Sequence, residues 1–259
     1  MTTPTALSNP ADVFSAVAHG YVMHRPSYPK SLYDYLLAWV PGRYYAWDVG
    51  CGNGQATVDL AERFGHVLAT DMSAAQISAA PPLLNVTWRV AKAEDSGLPD
   101  SSVDLITCAQ SLHWFPLDAF YAEARRVLVP GGILAAWTYG TVEVEGETIN
   151  AIVQHFRTTT IGEYWNPERK HVDNRYEEIS FPFPEINTPP YMLSVQWTLG
   201  QLLGYLRSWS ATGRYIALFA NDPTEMLGLE LISVWGDPDK PRQVSWPLTL
   251  KIGQKPHKG

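Results

Sequence analysis

Only two cysteines, Cys51 and Cys108, occur in the 259 residues, and neither lies in a CxxC pair. That is too few for a disulfide framework or a cysteine zinc site, so reduced structural thiols are expected. Basic runs are missing as well: 19 Lys and Arg stand against 26 Asp and Glu, a formal charge of −7. Without a cationic stripe to track phosphates or grip anionic lipid, neither nucleic acid nor membrane is expected as a partner. No segment stays apolar for the ~18 residues a membrane span requires. The N-terminal "MTTPTALSNPADVF" has neither a positive n-region nor an apolar h-region, so a cytoplasmic location is expected. His24, His113, His155 and His171 lie in separate segments without HExxH-like spacing, and no metal is expected.

What is present is ample core material, 46% hydrophobic residues, with an alternating arrangement between Tyr45 and Tyr139. Short apolar runs ("YYAWDV", "HVLATD", "VTWRVAK", "VDLITCAQ", "ILAAWTY") alternate with helical patterns such as "QATVDLAERF" and "PLDAFYAEARRVL". This alternation marks βαβ units and a mostly parallel sheet with helices on both faces. In the helix after Pro116, Leu117, Phe120, Tyr121, Ala124, Val127 and Leu128 form a 3.6-period stripe that "VPGG" ends. Residues 1–40 suggest an N-terminal helical cap, with Ser31 as N-cap of its second helix; residues 41–140 form the core. Residues 141–259 supply helices and loops for the substrate, and "YMLSVQWTL" and "QVSWPLTLKIG" two late strands that pair at one sheet edge. "ETINAIVQHFRTTTIG" and "LGQLLGYLRSWSATGRYIALFA" read as helices, whereas "YWNPERKHVDNRY" reads as a proline-broken connection.

The informative stretch is "WDVGCGNGQ". A glycine-rich turn between a first strand and a helix lets a ligand approach bare backbone and a helix N-terminus. A dinucleotide fingerprint is G-x-G-x-x-G, but here Gly50, Gly52 and Gly54 alternate and Gln55 takes the third glycine's slot. Asp71 closes the next strand, where a carboxylate accepts hydrogen bonds from both hydroxyls of a ribose. Asp48, at the end of the first strand, discriminates between ligands: two like charges about 4 Å apart repel by roughly 4 kcal/mol at an effective dielectric near 20. A pyrophosphate is disfavoured there, and a cofactor carrying an ammonium and a sulfonium is favoured.

With "DVGCGNGQ", "ATDMSAAQI", "AKAEDSGLPDSSVDLITCAQSLHWF" and "RVLVPGGILAAW" in this order, the chain resembles the class I S-adenosylmethionine-dependent methyltransferases. The resemblance implies a Rossmann-like seven-stranded sheet and S-adenosyl-L-methionine as cofactor. It also implies that Gly50 and Gly52 lie against the methionine part, Asp71 on the ribose, and Met72, Ala93 and Glu94 around the adenine. "YVMHRPSYP", "SLHWF" and "YWNPERKHVDNRY" are similar to the branch of trans-aconitate methyltransferases and their small-molecule relatives. In that branch's pattern Tyr21 and Arg25 belong to the cofactor site, the arginine pairing with the cofactor's carboxylate.

Methyl transfer from a sulfonium is an in-line displacement that requires a held nucleophile and excluded water. "CAQSLHWF" puts Gln110, His113 and Trp114 at the carboxyl end of the fourth strand, the edge where open α/β sheets bind ligands. His113 is the candidate catalytic residue: a general base for a hydroxyl acceptor, or a group that only orients a carboxylate. Arg169, Lys170, His171 and Arg175 cluster in an acidic chain and suit a carboxylate-bearing small-molecule acceptor, although such runs also occur as solvated loops. Tyr164, Trp165 and Trp209 are candidates for the apolar part of the acceptor pocket. Two other classes stay open, a nicotinamide oxidoreductase and a non-catalytic S-adenosylmethionine-binding protein.

Overall fold

The computed structural model describes residues 27–257. They gather into two compact units: a larger one of Ser27–Thr141, Glu168–Leu193 and 247–257, and a smaller one of Val142–Pro167 and Ser194–Trp246.

The larger unit begins with α1 (Lys30–Leu37) and continues through β1 (Tyr45–Val49), α2 (Gln55–Ala61), β2 (His66–Asp71), α3 (Ala74–Ser78) and β3 (Val86–Val90). It then runs through β4 (Val103–Ala109), α4 (Leu117–Val127) and β5 (Leu128–Tyr139). The chain enters the smaller unit with β6 (Glu143–Val144) and α5 (Glu147–His155), and returns to the larger with α6 (Arg169–Asp173) and β7 (Glu185–Ile186). β8 (Tyr191–Trp197), α7 (Leu199–Arg207), α8 (Ser210–Phe219) and α9 (Pro223–Trp235) follow, and β9 (Arg242–Gln254) begins in the smaller unit and ends in the larger.

β1 to β5 are all parallel and lie in the order β3-β2-β1-β4-β5, with β9 antiparallel on β5. β7 pairs with β9, and residues 143–144 of β6 pair with 244–245 of β9. Seven strands are expected from the sequence; nine are found among the described residues, the two additional ones being the two-residue β6 and β7. The middle strands are buried nearly end to end, as parallel strands covered on both faces must be, whereas the edge strand β3 is half exposed. Phe120, Tyr121, Ala124 and Val127 of α4 are buried, so the expected stripe is the packed face. The order reverses direction between β1 and β4, and the loops leaving their carboxyl ends diverge there to open a crevice.

Several local expectations are corrected. Helix α1 begins behind Pro29 with no side-chain cap, so Ser31 is not its N-cap. "VPGG" is the opening of β5, accommodated by a register shift between Val103 and Leu105. The long helical pattern from Leu199 is two helices, because Trp209 takes an extended conformation and Thr212 Oγ1 donates to the Leu206 carbonyl. The proline-broken connection contains the short helix α6. Helix α9 has a legible start that the periodicity reading passes over: Asp222 accepts from Thr224 N–H, and Pro223 occupies the first turn.

Candidate functional site

The three glycines of the turn after β1 have positive φ of +64°, +56° and +97°, a region that side chains disfavour. Their surroundings differ. A Cβ on Gly50 would lie 2.5 Å from Ser111 Cβ, and one on Gly54 2.3 Å from Trp88 Cη2. Gly50 therefore lets the loop after β4 approach, and Gly54 lets the tryptophan of β3 approach. Gly52 faces open space, its nearest neighbour being Gln76 Oε1 at 3.9 Å. Of the three, Gly52 presents bare backbone to a ligand.

Asp71 ties this turn to β2. Its carboxylate accepts from Gly52 N–H at 2.9 Å and Ser73 N–H at 2.8 Å. A carboxylate offers about four acceptor positions, so lone pairs remain for a diol. Asp48 behaves otherwise. It is fully buried, and its two oxygens accept from Thr57 Oγ1 (2.6 Å) and Thr107 Oγ1 (2.8 Å). The expectation of direct contact between Asp48 and a ligand is corrected accordingly: its charge reaches the turn only through the protein. Burial pushes its pKa up to about 6, against the opposing pull of the two threonine hydroxyls.

Met72 is 72% exposed directly after Asp71, so it does not fill the core. Ala93 is buried and Glu94 half-buried on the loop after β3. That loop is fixed from α4, where Glu123 accepts from both the backbone N–H and the hydroxyl of Ser96 and is gripped by Arg126.

Across the crevice, Ser111 Oγ donates to the Val49 carbonyl (2.7 Å), joining the ends of β4 and β1. Gln110 adopts φ +56°; its amide donates to the Tyr139 carbonyl (3.1 Å) and accepts from Thr138 Oγ1 (2.6 Å). With both ends of its amide engaged inside the protein, Gln110 braces the loop. His113 Nδ1 lies 2.8 Å from the hydroxyl of Tyr176, a side chain with no solvent exposure. Burial, with Arg169 and His171 nearby as further causes, lowers the His113 pKa to about 4. The imidazole is therefore neutral near pH 7 and a weak base. Trp114 is half exposed, its ring 4.8 Å from that of His113.

The structure thus brings Arg169 and His171 to His113, Arg169 also pairing with Asp173 at 3.2 Å. Arg175 is exposed on the same segment with φ +53°. Tyr164, Trp165 and Trp209 belong to the smaller unit, where the rings of Trp165 and Trp209 pack 5.3 Å apart and Tyr164 packs on Tyr215. Tyr21 and Arg25 lie outside the described residues. Tyr176, Thr138 and Ser111 were not among the sequence candidates. Nothing in local periodicity marks them, because their partners lie 28 to 63 residues away. Among the described residues no cluster of His, Cys, Asp and Glu suits a metal ion, and no helix is long and apolar enough to cross a membrane.

Residues 47–136 match a family described as "Methyltransferase domain". A Dictyostelium discoideum protein bearing a methyltransferase name is 33% identical over 259 residues, covering 98% of this chain and 97% of its own. The chain belongs to the class I S-adenosylmethionine-dependent methyltransferases. A solved structure described as a type II methyltransferase from Anaeromyxobacter dehalogenans is 41% identical, covers 91% of this methyltransferase and 100% of its own chain, and superposes with a TM-score of 0.84. A Saccharomyces cerevisiae protein named as an S-adenosylmethionine-dependent methyltransferase is 29% identical over 160 residues, 57% of this chain and 55% of its own. The enzyme's cofactor is S-adenosylmethionine. The site fits it: the space beside Gly52 that a side chain would enter is free, and half-buried Asp71, hydrogen-bonded to Gly52, is followed by exposed Met72.

Proposed function

We propose that the enzyme methylates an oxygen of a small, carboxylate-bearing acceptor in the cytoplasm. The bound cofactor supplies an electrophilic methyl group on a sulfonium; the chain's own residues bind, orient and exclude water. Gly52 receives the methionine part at the turn that Gly50 lets close on Ser111, Asp71 the ribose hydroxyls, and Met72 with the 93–94 stretch the adenine. His113, Arg169 and His171 meet the acceptor, with Arg175 on the same segment as the latter two. Trp114 covers the cofactor.

The observation that supports the carboxylate is the state of His113. It is held neutral, with its proton affinity depressed to a pKa of about 4, beside the cation of Arg169. A hydroxyl nucleophile calls for a base poised near the working pH, which this imidazole is not. A carboxylate is already nucleophilic, and an arginine fork suits it.

The test is release of S-adenosylhomocysteine against a panel of small carboxylic acids, alcohols, phenols and amines, with a pH-rate profile on the best acceptor. Carboxylic acids should turn over, with kcat flat between pH 5 and 8. Turnover restricted to alcohols or amines, falling below an apparent pKa of 6–7 and losing that limb in His113→Ala, would defeat the carboxylate reading.

A further inference from the structure

We propose that Tyr176 is a positioning residue for methyl transfer: its hydroxyl holds Nδ1 and so fixes which way the His113 ring faces, making Nε2 the atom that meets the methyl acceptor, while Lys251 holds Tyr176 in place. This role rests on the reading above that His113 meets the acceptor. An imidazole turned by half a rotation about its Cβ–Cγ bond exchanges Nδ1 with Cδ2 and Nε2 with Cε1. The neighbouring ring of Trp114, 4.8 Å away, does not distinguish the two orientations. The Tyr176 hydroxyl, 2.8 Å from Nδ1, does, because Cδ2 in that place would leave it without the bond. Burial pushes the Tyr176 pKa up, so the phenol is a neutral hydroxyl near pH 7.

Among the described residues Nε2 has no hydrogen-bond partner, yet it is not one of the buried polar atoms left unpaired. It is therefore reachable from outside the protein, on the loop after β4 that borders the crevice. In the other orientation a carbon, Cε1, would stand where the acceptor approaches.

Tyr176 is itself held from three sides. The turn that closes α6 contains no glycine: Arg175 and Tyr176 take left-handed backbone, φ +53° and +59°, where a helix end commonly places one. Across that turn Tyr176 N–H donates to the His171 carbonyl (2.8 Å), and Ile179 N–H donates to the Tyr176 carbonyl (3.1 Å). From β9, Lys251 Nζ donates to the carbonyls of Ile179 (2.7 Å) and Tyr176 (3.4 Å) and pairs with Glu185 (3.4 Å). The Tyr176 side chain is fully buried in the core cluster that contains Cys108, Leu112 and Val172. A non-glycine residue keeps such a backbone only where its surroundings over-determine it, and these contacts do so. The phenol stands fixed, and the imidazole is fixed against it.

The experiment compares the full-length wild type with Tyr176→Phe, His113→Ala and the double variant, following S-adenosylhomocysteine release with the best acceptor of the panel above. In Tyr176→Phe, kcat/KM for that acceptor should fall about three- to tenfold, the scale of one lost hydrogen bond, with calorimetric affinity for S-adenosylhomocysteine unchanged. The same substitution should cost nothing further without the imidazole, through which it acts. Independently of activity, NMR of the wild type should show Overhauser contacts from the Tyr176 ring to His113 Hε1 and none to Hδ2; in Tyr176→Phe, where the imidazole is free to turn, both should appear. Contacts to Hδ2 in the wild type, an unchanged kcat/KM in a folded Tyr176→Phe, or an equal loss from that substitution in the His113→Ala background overturns the proposal. If Tyr176→Phe does not fold, the wild-type contacts decide. An unchanged kcat/KM in His113→Ala sinks the reading that His113 meets the acceptor and this role with it, whereas a loss there with none in Tyr176→Phe overturns the role of Tyr176 alone.

Discussion

Alanine at Gly52 should separate affinity from stability. At φ +56° an alanine costs about 1–2 kcal/mol of backbone strain. Nothing is added to that cost by packing, since the nearest atom to a new Cβ is 3.9 Å away, an ordinary van der Waals distance. For a chain of this size each kcal/mol shifts Tm by about 2–4 °C, so the expected loss is about 2–8 °C. The new methyl group occupies the space read as the cofactor's, and binding of S-adenosylhomocysteine should weaken by about tenfold or more, equivalent to 1.4 kcal/mol. Gly50→Ala is the control. Its φ of +64° carries the same strain, and its Cβ would be driven to 2.5 Å from Ser111 Cβ, whose hydroxyl is already committed to the Val49 carbonyl. Overpacking of that kind adds roughly 1–3 kcal/mol. Differential scanning calorimetry and calorimetric titration on the two variants give both quantities. Wild-type affinity in Gly52→Ala, or equal loss of Tm in the two variants, would refute the division of labour among the glycines.

Asp71→Asn exchanges an acceptor pair for a single acceptor, leaving Gly52 N–H or Ser73 N–H facing an NH2 group; chemical denaturation should show a loss of about 1–3 kcal/mol, with weaker cofactor binding. Two groups oppose one another in acid. His113, with a folded pKa of about 4 against 6.5 ordinarily, makes stability fall as pH drops through that window, because the unfolded chain takes up the proton first. Asp48, at about 6 against 3.8, makes stability rise as pH drops through its window, because the folded chain takes it up first. Each slope is about 1.4 kcal/mol per pH unit, so wild-type stability should change little from these two groups between pH 6 and 4, whereas Asp48→Asn should lose stability steadily there. A flat profile in Asp48→Asn, measured by urea unfolding, would contradict this assignment. Arg169→Ala should raise KM for a carboxylate acceptor with little change in kcat, and should raise the His113 pKa, readable by NMR titration.

The alternation of apolar runs and helical patterns determined by itself that the chain would form parallel βαβ units, because periodicity is a local property and each unit's burial follows from it. The spacing of Gly50, Gly52 and Gly54 and the placing of Asp71 likewise belong to one turn and one strand end, within a short stretch of chain. Tertiary structure decided what each of those residues does. Asp48 reads as a ligand's carboxylate from its position, yet Thr57 and Thr107, nine and 59 residues away, enclose it. The glycines look alike in sequence, and only the approach of Ser111 and Trp88 assigns Gly50 and Gly54 to packing and leaves Gly52 open. The state of His113 is set by its burial and by Arg169, which the fold returns to the larger unit, and its ring is held against Tyr176, 63 residues further along. A hydrogen bond and a desolvated charge depend on atoms within a few ångströms, whatever their separation along the chain, so no pattern in neighbouring residues records them.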